Sequence, residues 1–276
     1  MRNLCIIALK EIQEGLRNRW VLATTLLLAA LALALTFLGN APTGSSIGAG
    51  RLDVLIVSLS SLTIFLIPLI ALLISHDAVV GEMERGTMLL LLSYPVSRNQ
   101  VLLGKFCGHV VILAFATLFG YGAAALALAL TGSDIGAASW MAFLSLIWSS
   151  VLLGAVFIAL GYLASTLVRE RGTAAGIAIG VWLLFVLIYD MALLGLLVAD
   201  QGRTIGAAGL NALLLANPTD AYRLLNFGAS GAGALTGMSG VAGNATLAPG
   251  ALSLALMLWV AVPLSLSMLA FSRKEL

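Results

Sequence analysis

Long apolar stretches alternate with short polar ones along the whole chain. A membrane-spanning α-helix needs roughly 20 apolar residues to cross ~30 Å of hydrocarbon. Backbone exposed to lipid must satisfy its own hydrogen bonds, which favours helices. The pattern therefore predicts an all-α integral membrane protein, a single domain over 1–276 with six transmembrane helices at 20–39, 54–75, 106–130, 140–167, 174–198 and 250–271.

The composition agrees with a membrane protein. Hydrophobic residues make up 61% of the chain and charged residues 9%, whereas soluble domains have about 45–50% and about 25%. The net charge of +2 indicates no nucleic-acid partner, because the positive charges lie at the ends of the apolar stretches.

Lysine and arginine predict the orientation, since cytoplasmic segments of membrane proteins carry an excess of them. If the N-terminus is inside, the inner segments hold 11 of the 14 Lys and Arg residues. Both termini are therefore expected in the cytoplasm.

The first 19 residues have one apolar stripe. Leu4, Ala8, Ile12 and Leu16 recur every four residues, and charged residues occupy the other side. This spacing predicts an amphipathic interfacial helix over 1–19 that lies on the inner membrane surface. The alternative is a charged flank of the first span.

The segment 81–105, GEMERGTMLLLLSYPVSRNQVLLGK, separates the second and third spans. Gly86 and Thr87 favour a helix start, and Pro95 stops the apolar run that follows. Ser97 and Gln100 form a capping box that starts the third span, and Lys105 is expected to reach the lipid headgroups. An apolar run at 88–92 needs a cover, either the membrane surface or a partner protein.

The segment 199–249 is the largest one expected outside. Asn217 as a cap and Pro218 at the first helical position predict a helix, one of several short helices packed at the outer surface. Asp190 is the one acid well inside a predicted span. Because such acids are costly, it is expected either to line an outer gate or to hydrogen-bond Tyr189 or a neighbouring helix.

Candidate chemistry is sparse. The sequence has no GxxxxGK[ST] loop, so it has no phosphate-binding site of that kind. His76, His109 and Cys107 are the only candidate metal ligands, and hydrogen bonding near the inner membrane edge is favoured over metal binding for them. No metal site, no cofactor and no catalytic residue are predicted in this chain.

Three parts of the segment 81–105 resemble a known family. Glu84 to Thr87, Ser93 to Arg98, and Gly104 with Lys105 are similar to the E-x-G-T, P-(V/L)-S-R and GK pattern of type-2 ABC exporter permeases. In that family a short coupling helix at this place docks in a groove of a separate ATPase. By resemblance, the coupling residues are Glu82, Glu84, Arg85, Gly86, Thr87, Met88, Leu89, Leu90, Leu91, Leu92, Ser93, Tyr94 and Pro95.

The resemblance also implies an assembly in the bacterial inner membrane. Two copies of this non-catalytic chain would join two ATP-binding subunits, which carry the ATP and Mg²⁺. The stretch NPTDAYRLL is similar to permeases that serve the copper-sulfur centre of nitrous oxide reductase, and it implies a periplasmic repeat protein as partner. The expected contacts with that protein are Asn217, Pro218, Asp220, Tyr222 and Arg223.

Two other functions remain open. An exporter of the same family could move a drug, a lipid or a polysaccharide. A proton-coupled secondary transporter could use Asp190, but such transporters usually have two related halves with broken helices, and no internal repeat is visible. In the copper-centre reading, the cargo is a sulfur species, or ATP-driven motion is passed to the periplasmic partner without cargo.

Overall fold

The computed structural model describes residues 2–38, 51–130, 136–201, 203, 205–229 and 247–274. These residues form helices joined by short connections, and no strand occurs among them. A π-helical turn spans Leu184–Ile188. The α-helices are α1 (Arg2–Arg17), α2 (Arg19–Leu38), α3 (Arg51–Ser75), α4 (Val80–Glu84), α5 (Thr87–Leu92), α6 (Arg98–Leu130), α7 (Ala137–Leu167), α8 (Arg171–Leu183), α9 (Tyr189–Asp200), α10 (Ala207–Leu215), α11 (Pro218–Ala229) and α12 (Pro249–Arg273).

The predicted all-helical membrane class is confirmed. Five stretches among the described residues are long and apolar enough to cross a membrane: Leu55–Glu84, Arg98–Leu130, Trp140–Leu167, Arg171–Asp200 and Pro249–Arg273. A sixth span is present if Asn3–Arg17 and Val21–Phe37, which are inclined by 67°, count as one bent span. The last five predicted stretches lie in α3, α6, α7, α8 to α9, and α12, and the first lies in α2 except for residue 39, which is outside the described residues.

Residues near both chain termini and the segment 80–98 meet at one end of the bundle. The side-chain amide of Asn3 donates to the carbonyl of Pro95 at 3.3 Å. The guanidinium of Arg98 donates to the carbonyl of Lys274 at 2.7 Å. This end is called the inner end below, after the cytoplasmic orientation that the distribution of positive charge predicts.

Two glycines bring α1 against α6. A Cβ atom on Gly104 would lie 2.9 Å from Ile7, and one on Gly108 would lie 2.6 Å from Glu11. These positions are four residues apart on one face of α6, the spacing that lets membrane helices approach closely. A larger side chain at either position would push α1 away from the bundle.

The hairpin formed by α10 and α11 inserts between the spans. The side chains of Asn217 and Thr219 each donate to the carbonyl of Phe185 at 3.0 Å. The hydroxyl of Tyr222 lies 3.1 Å from that of Ser150, near the middle of α7, and Tyr222 is fully buried. The prediction of short helices is confirmed, and the polar groups of α11 find partners inside the bundle. The segment 230–246 lies outside the described residues.

Candidate functional site

A short helix, α5, lies at the place where the resemblance implies the coupling helix. Gly86 precedes it with φ of 72°, in the left-handed region that favours glycine, so the chain turns sharply between α4 and α5. The helix ends at Leu92, three residues before Pro95. The sequence predicted this start and this stop correctly.

The apolar run of α5 has one buried and one exposed side. Met88 is 1% exposed and anchors the helix in the core. Leu89, Leu90 and Tyr94 are 58%, 67% and 66% exposed. These three residues are called the α5 face below. They form an apolar surface at the inner end of the bundle.

A buried ion cluster lies beside α5. The ammonium of Lys105 is 2.7 Å from Glu11 and 2.7 Å from Glu82, and its side chain is 4% exposed. Lys10 lies 3.9 Å from Glu82. Lys105 was expected to reach the lipid headgroups, and this was wrong, because carboxylates from α1 and α4 compensate its buried charge. Glu82 was expected among the coupling residues, and its side chain faces this cluster.

Polar contacts fix α4 to α7 and α8. The hydroxyl of Ser165 on α7 accepts hydrogen bonds from the backbone amides of Val79 and Val80 at 3.1 and 3.0 Å. The backbone amide of Arg171 donates to Glu84 at 2.7 Å. The segment that carries α5 is therefore held by helices from distant parts of the chain.

Arg98 and Lys274 connect the start of α6, the end of α12 and the end of α7 by hydrogen bonds. The guanidinium of Arg98 donates to carbonyls at the end of α12, on Phe271 at 2.9 Å, Ser272 at 3.2 Å and Lys274 at 2.7 Å. The ammonium of Lys274 donates to carbonyls at the end of α7, including that of Thr166 at 2.9 Å. The last carbonyls of a helix lack partners within it, and cations satisfy them well. The sequence did not predict these hydrogen bonds of Arg98, because its acceptors lie far along the chain.

The two histidines are engaged in hydrogen bonds. Nδ1 of His76 lies 3.0 Å from the carbonyl of Leu73, in the last turn of α3. Nδ1 of His109 lies 2.8 Å from the hydroxyl of Tyr162. Among the described residues, no three His, Cys, Asp or Glu side chains are grouped to hold a metal ion.

A second charged cluster ties the α10–α11 hairpin to the fifth span. Arg223 donates to Asp220 and to Asp190, in each case at 2.7 Å. Burial and the charge of Asp190 raise the pKa of Asp220 to about 7. Of the two alternatives for Asp190, the structure shows hydrogen bonding to a neighbouring helix, α11. The hydroxyl of Tyr189 donates elsewhere, to the carbonyl of Leu213.

The residues expected to contact a periplasmic partner are mostly inside the chain. Asn217 and Tyr222 are fully buried, and Asp220 is 2% exposed. Pro218 is buried and Arg223 is partly buried. The structure thus places these five residues in the packing of the hairpin and not on an outer surface. The sequence did not reveal this, because a helix start has the same signature at a surface and inside a bundle.

Comparisons with known proteins agree with the resemblance noted above. A family model described as "ABC-2 family transporter protein" matches residues 5–276. "Probable ABC transporter permease protein NosY" of Stutzerimonas stutzeri is 47% identical over 277 residues, which cover 99% of each chain. The protein of the same name from Pseudomonas aeruginosa is 47% identical over 271 residues, which cover 98% of each chain.

Proposed function

The chain belongs to the ABC-2 family of transporter proteins, and from this premise we propose that it docks a separate ATP-binding subunit through the α5 face. Its relatives are named as permeases, the membrane subunits of ABC transporters. The ATP and Mg²⁺ would be bound by the partner. This chain would turn the closure of that partner into movement of its spans.

The observation that carries the proposal is the exposed α5 face. Leu89, Leu90 and Tyr94 are more than half exposed at the inner end, and a cluster of exposed apolar side chains marks a binding surface. Glu84 and Arg85 are exposed beside it and offer one charge of each sign for orientation. Between the two covers that the sequence left open, family membership favours a protein groove.

The contacts around α5 explain how its displacement would spread. Glu82 connects α4 to α1 and α6 through Lys105. Ser165 connects α4 to α7, and Arg98, at the start of α6, connects the segment 81–105 to α12. Packed elements with fixed polar contacts move together. A shift of α5 would therefore reach α4, α1, α6, α7 and α12 together.

The test separates the two sides of α5. Leu89→Ser with Leu90→Ser removes apolar area that the partner would bury, which is expected to weaken association by about tenfold or more. Met88 stays unchanged because it belongs to the core. Ile6→Ser with Leu9→Ser is the matched control, since these side chains are 58% and 56% exposed but lie on α1 and not on the α5 face. If the ATP-binding subunit co-purifies equally with both variants, the α5 face is not the docking site.

We also propose that two copies assemble through α8. Only 6% of the most apolar part of Arg171–Asp200 is buried by the rest of the chain, compared with 61% for Leu55–Glu84. Gly172, Gly176 and Gly180 lie on one side of α8, and a Cβ atom on any of them would meet nothing within 4 Å. A stripe of small residues at this spacing suits close packing of two membrane helices. Two-fold symmetry would place the same stripe on both copies.

For the biological role, we propose assembly of the copper-sulfur centre of nitrous oxide reductase, together with a periplasmic repeat protein. Two observations support it: the name NosY of the relatives and the NPTDAYRLL stretch. The partner would bind outer residues other than the buried tip of the hairpin. Co-purification of a periplasmic repeat protein with the chain tests this role, and an exporter of a drug, lipid or polysaccharide would lack that partner.

A further inference from the structure

A cavity of about 560 Å³ opens at the inner end of the bundle. It lies between the bend that joins α1 to α2, the end of α3, α4, α6 and the first residue of α8. Its floor is polar and includes Glu82 and Lys105. Part of its wall is apolar, formed by Val21, Leu73, Ile74 and Ile112.

The charges around the cavity balance when Lys10 is included. The carboxylates of Glu11, Glu14, Asp77 and Glu82 face the cations of Arg85, Lys105 and Arg171, and the ammonium of Lys10 lies 3.2 Å from Glu14. With the two histidines His76 and His109 left aside, four negative charges meet four positive ones. A zwitterionic ligand would keep this balance.

Glu82 identifies the point where such a ligand would bind. One oxygen, Oε1, lies 2.7 Å from Lys105. The other, Oε2, is buried and accepts no hydrogen bond from the residues that the structure describes. A buried polar atom without a partner is costly, and more so when it is charged. An N–H donor that entered the cavity would remove this cost.

We propose that the cavity binds the headgroup of a phospholipid with a primary ammonium group, such as phosphatidylethanolamine. The ammonium donates to Oε2 of Glu82. Arg85 and Arg171 face the phosphate at the mouth. This site goes beyond the docking of an ATP-binding subunit and does not rest on it.

The position of the cavity favours a lipid over a soluble amine. Its apolar wall continues onto side chains exposed on the outside of the bundle, since Leu73 is 51% exposed and Leu22, next to Val21, is 48% exposed. These residues lie where α2 and α3 meet the inner end. Acyl chains can follow this surface into the membrane while the headgroup stays on the polar floor.

Native mass spectrometry of the delipidated full chain tests the proposal. The probes are phosphatidylethanolamine, phosphatidylcholine and phosphatidylglycerol with identical acyl chains. The choline headgroup carries three methyl groups in place of the N–H donors, and the glycerol headgroup carries no ammonium. We expect phosphatidylethanolamine to bind about tenfold more tightly than either, the size of one hydrogen bond to a charged group.

Three variants assign the preference to the cavity. Glu82→Gln should abolish it, whereas Glu14→Gln should keep it, because the Glu14 side chain is 62% exposed. Glu82→Gln also removes a partner of Lys105, so Thr24→Phe provides a second probe that fills the cavity from α2 and leaves the ion cluster intact. Thr24→Phe should also abolish the preference.

Three results would overturn the proposal. The first is equal binding of the three lipids to the natural chain, and the second is a preference that survives Thr24→Phe. The third is displacement of the lipid by ethanolamine or glycerophosphoethanolamine at equal concentration, which would assign the cavity to a soluble amine.

Discussion

The ammonium of Lys105 lies 2.7 Å from a carboxylate oxygen of Glu82, and both side chains are almost completely withdrawn from solvent. The same ammonium is 2.7 Å from Glu11. One cation thus joins α1, α4 and α6 beside the segment that carries α5. This arrangement explains why a lysine near the start of the third span is not at the lipid headgroups.

Removal of that cation should destabilise the protein strongly. Lys105→Met leaves Glu11 and Glu82 buried without their main partner, which costs about 3–5 kcal/mol. The measurement is unfolding of the detergent-purified chain by heat or denaturant. Lys10→Met is the control, since the Lys10 side chain is 45% exposed and exposed pairs contribute ~0–1 kcal/mol. Similar losses in the two variants would contradict the buried role of Lys105.

Replacement of Arg98 should loosen the end of α12. Arg98→Gln removes the donor that satisfies the carbonyls of Phe271, Ser272 and Lys274. We expect faster hydrogen exchange in the last two turns of α12, and weaker coupling of ATP hydrolysis to transport, while the ATP-binding subunit remains bound. Arg85→Gln is the control for exchange, because Arg85 is exposed and Arg98, not Arg85, donates to the carbonyls at the end of α12. Unchanged exchange in Arg98→Gln would show that the hydrogen bonds from Arg98 do not hold the end of α12.

A bulky residue in the glycine stripe of α8 should separate the two copies. Gly176→Leu places a branched side chain on the surface where we propose that the second copy packs, so the dimer should weaken while each copy stays folded. Analytical ultracentrifugation or mass photometry in detergent measures the change. Gly122→Leu is the matched control, because a Cβ atom on Gly122 also meets nothing within 4 Å but the residue lies on α6. Dimers that persist in Gly176→Leu would exclude α8 as the interface.

Asp220 should make stability depend on pH. Its pKa is raised from 3.8 to about 7 in the folded chain, by burial and by Asp190. Between these values the folded chain holds a proton that the unfolded chain has lost, so stability should fall as pH rises from about 4 to about 7 and then level off.

Unfolding measured from pH 5 to pH 8 tests this dependence. Asp220→Asn should flatten the curve, because an amide does not titrate. Asp200→Asn, on the same span as Asp190, should leave the slope in place. A slope that Asp220→Asn does not change would assign the pH dependence to other groups.

Local signals in the sequence predicted local structure well. Ser97 and Gln100 exchange the two hydrogen bonds of a capping box, each at 3.2 Å. Asn217 accepts from the amide of Thr219 at 3.0 Å as α11 begins. In both cases the partners lie two or three residues apart, so the residue types alone determine the contact.

Contacts between distant residues were not predictable in the same way. Lys105 can meet Glu11 because Gly104 and Gly108 admit α1, and no pattern in one sequence shows that approach. The hairpin was expected at the outer surface because 199–249 is the largest segment expected outside. The partners of α11 inside the bundle, the carbonyl of Phe185 and the hydroxyl of Ser150, lie far along the chain, so the sequence did not reveal them.

Docking of an ATP-binding subunit is tested by purifying the natural chain from its own membranes in mild detergent and identifying by mass spectrometry the proteins that come with it. We expect an ATP-binding subunit in equal amount to this chain, and a periplasmic repeat protein if the copper-centre role is correct. An ATP-binding subunit alone would support docking and leave the cargo to be found. Recovery of the chain without any ATP-binding subunit would contradict the claim that the α5 face is a docking surface.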